Sequence, residues 1–394
     1  MENLIPKLRF PEFKSSEGNV YKKYSFEEIF LFSTGKNIKQ NEASPDFETP
    51  CVRYGELYHM YNEVINEVIN KTNLDKSELK FSEGDEILLP SAGEDPLDIG
   101  SASALTIPNV AIGRTINILK PLNENVYSQI YASYFINLKL KNKIATLAKG
   151  VSISNVYNSD LKTLEIILPT LSEQQKIATF LTSVEEKLQA LKQKKSLLEQ
   201  YKKGVMQKIF TQELRFKDEN GNDFPEWEEK SLGDCLDYEQ PTNYLVASTE
   251  YNDKFQTPVL TAGKTFILGY TDEINGIYKD NLPVIIFDDF TTATQFVEFP
   301  FKAKSSAMKI LKAKEQINIK FVFEAMKMMK YEVGGHERHW ISKFTYIEMQ
   351  LPSLNEQTHI ANFLNSIDDK INHCGEQIAK MEVWKKGLLQ EMFC

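Results

Sequence analysis

Cysteine is scarce: Cys51, Cys235, Cys374 and Cys394 are scattered over 394 residues without a CxxC pair. That spacing argues against a disulfide framework and against a zinc site, and fits a reducing cytoplasm. No apolar run approaches the ~18 residues that a membrane helix needs. The opening MENLIPKLRFPEF has neither a basic flank nor an apolar core, so it does not read as a signal peptide. Positive charge is also short, with 46 Lys and Arg against 55 Asp and Glu, net −9. Bulk charge therefore argues mildly against nucleic-acid binding. Catalytic motifs are missing too. There is no Asn/Asp-Pro-Pro-aromatic methyltransferase signature and no local Ser-His-Asp or Cys-His arrangement. Ala262-Gly263-Lys264-Thr265 imitates the tail of a phosphate loop, but Pro258 occupies the earlier glycine position. Pro45-Asp46 with the distant Glu78-Leu79-Lys80 is too loose a match to a nuclease constellation to carry one.

What the chain does have is one long segment written twice. Residues 168–210 read LPTLSEQQKIATFLTSVEEKLQALKQKKSLLEQYKKGVMQKIF, and residues 351–393 read LPSLNEQTHIANFLNSIDDKINHCGEQIAKMEVWKKGLLQEMF. They align without a gap at an offset of 183, with 17 of 43 positions identical. Two copies are too few for a solenoid, and the simplest fold is an intramolecular pseudo-dimer. Pro169 and Pro352 disfavour helix just before each copy; Ser172 and Asn355 stand where an N-cap belongs, with Gln175 in a capping-box position. The apolar residues then run Ile177, Leu181, Val184, Leu188, Leu191, Leu198, Val205, Ile209 and, in the second copy, Ile360, Leu364, Ile367, Ile371, Cys374, Ile378, Met381, Leu388, Met392. Such spacing predicts a coiled-coil seam of four to five heptads, two long helices lying side by side, each leading from its own globular domain. Lys202 and Lys385 interrupt the seam at the same repeat position. They either set its register or snorkel at its edge.

The blocks before the helices are far less alike, though echoes remain: Leu8 to Phe10 and Leu214 to Phe216 both read Leu-Arg-Phe. Apolar runs at 86–89, 116–119 and 284–287 predict buried strands, and 129–139 and 319–330 predict amphipathic helices. Each block is thus a mixed α/β domain of ordinary size. Charge is uneven. Residues 302–330 hold eight lysines and two acids, and Lys139, Lys141, Lys143 and Lys149 follow one another with no acid between them. Such runs are either solvated faces or phosphate-binding patches. Just before each Leu-Pro lies a polar loop, Gly150 to Asn158 and Gly334 to Ser342, rich in small, amide, basic and aromatic residues of the kind that contact bases and phosphates. His336 and His339 lack a third ligand for a metal. Trp340 reads as a core residue.

Leu-Pro-x-Leu-x-Glu-Gln-x-x-Ile-Ala-x-Phe-Leu occurs twice, each time followed by a long heptad helix and preceded by a divergent domain. In this the whole chain resembles the specificity subunits of type I restriction–modification enzymes. The resemblance implies an α/β (α+β) fold with two mixed α/β target recognition domains, at 1–167 and 214–350. Two conserved long helices, at 168–213 and 351–394, would pack antiparallel as a coiled-coil spacer between them. It further implies an asymmetric, bipartite double-stranded DNA target, and docking of two modification (methyltransferase) subunits and of restriction/translocase subunits. The chain itself would be cytoplasmic, bind no membrane and hold neither a catalytic site nor a cofactor, with S-adenosylmethionine, ATP and Mg belonging to the partners. The candidate DNA contacts are Lys149, Ser152, Ser154, Asn155, Lys264, Lys304, His336, Arg338, His339 and Lys343. Two other readings are a nuclease or methyltransferase component in its own right, which would need a catalytic motif, and a coiled-coil adaptor that binds only protein.

Overall fold

The computed structural model describes residues 5–14, 21–123, 125–150, 152–261, 263, 265–329 and 339–393. The chain divides into two compact units, one of residues 1–191 with 377–394 and the other of residues 192–376. Two helices, Leu171–Phe210 and Leu354–Met392, dominate the sequence repeat. At 40 and 39 residues each is ~60 Å long at ~1.5 Å per residue, longer than the seam alone required. Their N-termini lie earlier than expected. Thr170 and Ser353 receive the Glu173 and Glu356 backbone N–H groups at 3.4 and 3.5 Å. Ser172 and Asn355 therefore belong to the first helical turn, because Pro169 and Pro352 restrict only the residues before them.

Within the first unit a five-stranded sheet runs in the order Phe30–Thr34, Ile116–Pro121, Glu86–Pro90, Ser103–Leu105, Val64–Ile65. It is apolar on both faces, which explains the unbroken runs at 86–89 and 116–119. Ile87, Leu89 and Leu119 face one core together with Tyr131, Phe135 and the start of the first long helix. Leu88, Ile116 and Ile118 face a second core with Val52 and Ile112 from a small three-stranded sheet, Lys71–Thr72, Thr49–Val52, Ala111–Ile112. The expected helix over 129–139 is Gln129–Phe135, continued by a π-helical turn at Ile136–Leu140.

The second unit repeats this plan. A four-stranded sheet, Leu236–Glu239, Met308–Ala313, Val284–Asp288, Thr294–Val297, lies beside a three-stranded one, Ile267–Thr271, Thr257–Leu260, Lys302–Ala303. Along Val284–Asp288 the side chains alternate by strand period: Ile285 and Phe287 enter one core, Val284 and Ile286 the other. The helix Ile319–Met328 stands where Gln129–Phe135 stands in the first unit. Sequence divergence between the blocks therefore conceals a duplicated fold.

The long helices are antiparallel in each unit. In the first, Ile177, Leu181 and Val184 share a core with Leu388 and Met392, with Met381 packed against it. In the second, Val205, Met206 and Ile209 share a core with Ile360, Leu364 and Ile367. Along the seam Leu188, Leu191 and Cys374 are also buried, while Leu198, Ile371 and Ile378 are half-buried.

Candidate nucleic-acid interface

The most repeated residues make a joint rather than a binding site. Glu173 is fully buried and accepts Arg9 Nε and Nη2 at 2.8 and 2.7 Å, with Tyr21 Oη at 3.3 Å. Its counterpart Glu356 accepts Arg215 Nε and Nη2 at 3.2 and 3.0 Å and Trp227 Nε1 at 3.0 Å. A paired, multiply hydrogen-bonded carboxylate offsets its own desolvation, and the pairing holds both guanidinium groups above their ordinary pKa. The neighbouring glutamines do a second task. Gln174 Oε1 accepts the Ser128 N–H at 2.9 Å and its Nε2 donates to the Pro169 carbonyl at 2.9 Å. Gln357 Oε1 accepts the Asn318 N–H at 2.8 Å and its Nε2 donates to the Pro352 carbonyl at 2.8 Å. Ser128 and Asn318 are the N-caps of the globular domains' helices. Each Leu-Pro…Glu-Gln motif thus fastens a domain to the foot of its long helix, through the arginine of the echoed Leu-Arg-Phe and the cap of the domain helix.

Neither seam lysine snorkels. Lys202 is buried, donating to Asp368 at 2.7 Å and Glu324 at 3.0 Å. Lys385 donates to Glu185 at 2.7 Å. Glu185 and Asp368 are themselves 183 residues apart, so the two pairs are copies of one interaction. Ion pairs of this kind, met at one register only, are a device for specifying alignment.

The lysine-rich stretch is mostly neutralised in place. Lys302 pairs with Glu273 at 2.8 Å, Lys309 with Asp289 at 3.1 Å, Lys312 with Glu239 at 3.1 Å and Lys314 with Asp237 at 3.6 Å. Lys320 joins Glu324 and Asp368, both at 3.0 Å, and Lys327 lies 3.4 Å from Glu324. Lys304 differs: its Nζ sits 5.8 Å from the centroid of the Tyr251 ring. Compositional density of lysine was therefore a poor guide, because all but one of the acids that balance it, Glu324, come from elsewhere in the chain.

The candidate contacts separate accordingly. Lys149 and Ser152 are exposed, and Lys149 pairs with Asp160 at 2.6 Å. Ser154 is buried in the short strand Ser154–Asn155 against Ala92–Gly93, and half-buried Asn155 turns its side-chain amide to the Ile153 carbonyl at 3.2 Å. Lys343 is exposed. His339, expected in an exposed loop, is buried at the start of the short helix His339–Ser342, where its N–H donates to the Asp289 carbonyl at 3.0 Å. In that position it is withdrawn from any surface ligand. Trp340 is fully buried against Phe287 and Phe344, a core residue as its sequence context implied. Lys264, His336 and Arg338 lie outside the described residues.

The type I restriction modification DNA specificity domain matches this chain twice, over residues 20–200 and 225–382. The chain belongs to that family. The specificity subunit of the Escherichia coli type I restriction enzyme EcoR124I/EcoR124II is 49% identical over 126 residues, 31% of this chain and 31% of that protein. A putative MjaX specificity subunit of Methanocaldococcus jannaschii is 27% identical over 304 residues, 70% of each. The crystal structure of a type I S subunit from M. genitalium superposes with a TM-score of 0.70, covering 99% of both chains at 18% identity; at that identity the likeness is one of fold. The two matched segments contain Glu173 with Gln174 and Glu356 with Gln357, while Arg9 and Arg215 lie outside them. Arg9, Arg215, Gln174 and Gln357 went unassigned in the sequence reading. The Leu-Arg-Phe echo was the available signal for the arginines, since an identical charged residue inside two otherwise divergent blocks needs a buried partner.

Proposed function

We propose that this specificity subunit reads a bipartite DNA target, one half-site with each unit, and supplies no chemistry of its own. The observation that carries the reading is one fold present twice, fastened to its helix by the same joint, with different side chains on the parts the joint leaves outside. Two different half-sites, separated by bases that are spanned and not read, follow from that arrangement. Two copies of a modification subunit then dock on the long helices, joined by restriction/translocase subunits, and the S-adenosylmethionine, ATP and Mg of the reaction belong to those partners. Repeat-equivalent surfaces support this count. Tyr201 and Trp384 occupy the same repeat position and are 53% and 48% exposed. Gly204 and Gly387 stand one turn further on, also equivalent, with open space beside each. Glycine inside a helix costs about 1 kcal/mol relative to alanine, and neither serves a contact in its own unit, which suits close approach of a partner. Among the described residues no helix is long and apolar enough to cross a membrane, in keeping with a cytoplasmic complex acting on DNA. The test is methylation-sensitive sequencing of a genome exposed to this chain with its modification subunits. The expected motif is asymmetric and interrupted; a continuous palindrome would overturn the reading.

A further inference from the structure

The first unit has a constellation that the sequence reading did not single out. Strands Thr49–Val52 and Ala111–Ile112 run parallel, so both deliver their next residues to the same end of the small sheet. There the Gly113 N–H donates to the Val52 carbonyl at 2.8 Å. A third segment closes on the spot: the Lys36 N–H donates to the Ile112 carbonyl at 2.9 Å, and the Arg114 N–H to the Asn37 carbonyl at 2.8 Å. The approach is so close that a Cβ on Gly35 would collide with the Gly113 carbonyl. Asn37 and Ile38 are both left-handed, at φ 53° and 57°, a conformation that a β-branched residue adopts only when its surroundings enforce it.

This locked backbone presents Lys36, Arg53, Tyr54 and Arg114, of which Lys36, Tyr54 and Arg114 are exposed. Arg53 is aimed by a buried carboxylate. Glu56, 2% exposed, accepts Arg53 Nε at 2.7 Å, the Arg53 N–H at 3.1 Å and Asn70 Nδ2 at 2.9 Å. A guanidinium held at Nε keeps its terminal nitrogens in a fixed plane, which lowers the cost of ordering it on a ligand. Arginine is rare here. The chain has five, and Arg9 and Arg215 are committed to the joints while Arg338 lies outside the described residues. The remaining two converge on this one strand-end platform.

The second unit builds the same platform with other side chains. Strands Thr257–Leu260 and Lys302–Ala303 are parallel; the Lys304 N–H donates to the Leu260 carbonyl at 3.0 Å and the Val246 N–H to the Ala303 carbonyl at 2.9 Å. By these hydrogen bonds Thr261 stands in the place of Arg53, Lys304 in that of Gly113, and Ser305 in that of Arg114. Lys304 lies over Tyr251. Equal backbones with unequal polar side chains are what two half-sites of different sequence require.

We infer that this strand-end platform is the base-reading surface of each unit, and that Arg53 and Arg114 read bases in the half-site of the first unit. Their fork of donors fits the O6 and N7 acceptors of guanine in the major groove. The inference rests on the DNA-specificity reading above. The test uses the full chain assembled with its modification subunits, with duplex binding over a salt series and methylation-sensitive sequencing as readouts. Arg114→Ala is expected to weaken binding to the cognate duplex by roughly ten- to a hundredfold and to relax one position of one half-site, leaving the other half-site intact. Arg114→Lys keeps the charge and loses the fork, and is expected to relax the same position. Lys304→Ala is expected to act on the other half-site alone. Unchanged motifs in both Arg114 variants would overturn the inference. So would an equal loss on all sequences with a shallower salt dependence, which marks a phosphate contact. A wild-type complex with no sequence preference would instead overturn the parent reading, and this inference with it. Arg114 is exposed, so unchanged thermal unfolding of its variants is the expected control.

Discussion

At the foot of the first unit, Arg9, Tyr21 and Glu173 make the contacts that Arg215, Trp227 and Glu356 make in the second. At the strand ends, Arg53 and Arg114 of the first unit stand where the second has Thr261 and Ser305. The two regions differ because they answer to different constraints. A buried carboxylate has no substitute that leaves its partner satisfied, so both copies of the joint keep the same chemistry. Arg114, exposed at its strand end, has no such debt to the core, and its side chain is free to follow a ligand. Likeness between the units therefore maps attachment, and difference maps recognition.

Removing the joint is the strongest way to break that comparison. Glu356→Ala or Glu173→Ala leaves a part-buried guanidinium without its fully buried carboxylate, and each is expected to cost about 3 kcal/mol or more. Urea unfolding of the two variants should give similar losses; a loss below about 1 kcal/mol in one of them would show that the joints are not equivalent. The seam lysines come next and should separate the units. Lys202→Met leaves the fully buried Glu324 and part-buried Asp368 to Lys320 and Lys327 alone, for about 1.5–3 kcal/mol. Lys385→Met breaks the more accessible pair with Glu185 and should cost about 1 kcal/mol or less. Equal costs would mean that burial does not set the worth of these pairs.

The smallest effect is a pH dependence that belongs to the second unit. Burial, the largest influence on Asp368, pushes its carboxyl up, but hydrogen bonds and attraction from Lys202 and Lys320 outweigh it and hold the carboxyl below its ordinary value. A depressed folded-state value means that this stabilisation is complete above the unfolded value of ~3.9, and is lost as pH falls from there through the folded value. Asp368→Asn should therefore flatten part of the fall in urea midpoint below about pH 4. A fall identical to that of the wild type would remove Asp368 from the acid response.

Two buried thiols, Cys51 and Cys235, carry no such sensitivity. Cys51, Cys235 and Cys374 are buried. Burial raises Cys51 to about 12 and Cys235 to about 11, which keeps both protonated and unreactive at neutral pH.

Much of this protein was legible in one dimension because it rests on local periodicity. The gapless repeat and its seam announced two long helices side by side, and the runs at 86–89, 116–119 and 284–287 announced buried strands. Heptads and buried strands are written by neighbours a few residues apart, so they survive in the string. The lysines between 302 and 330 show the limit. Their density suggested an open basic surface, yet the acids that neutralise them, Asp237, Glu239, Glu273, Asp289 and Asp368, come from distant segments. His339 left the surface for a similar reason: its neighbour Trp340 is drawn into the core, and the backbone at 339–340 is tied to Asp289. The meeting of residues 35–37, 53 and 113–114 joins segments that lie far apart in the sequence. Whether a charge is spent inside the fold or left at its edge depends on which remote group arrives beside it, and only the tertiary structure decides that.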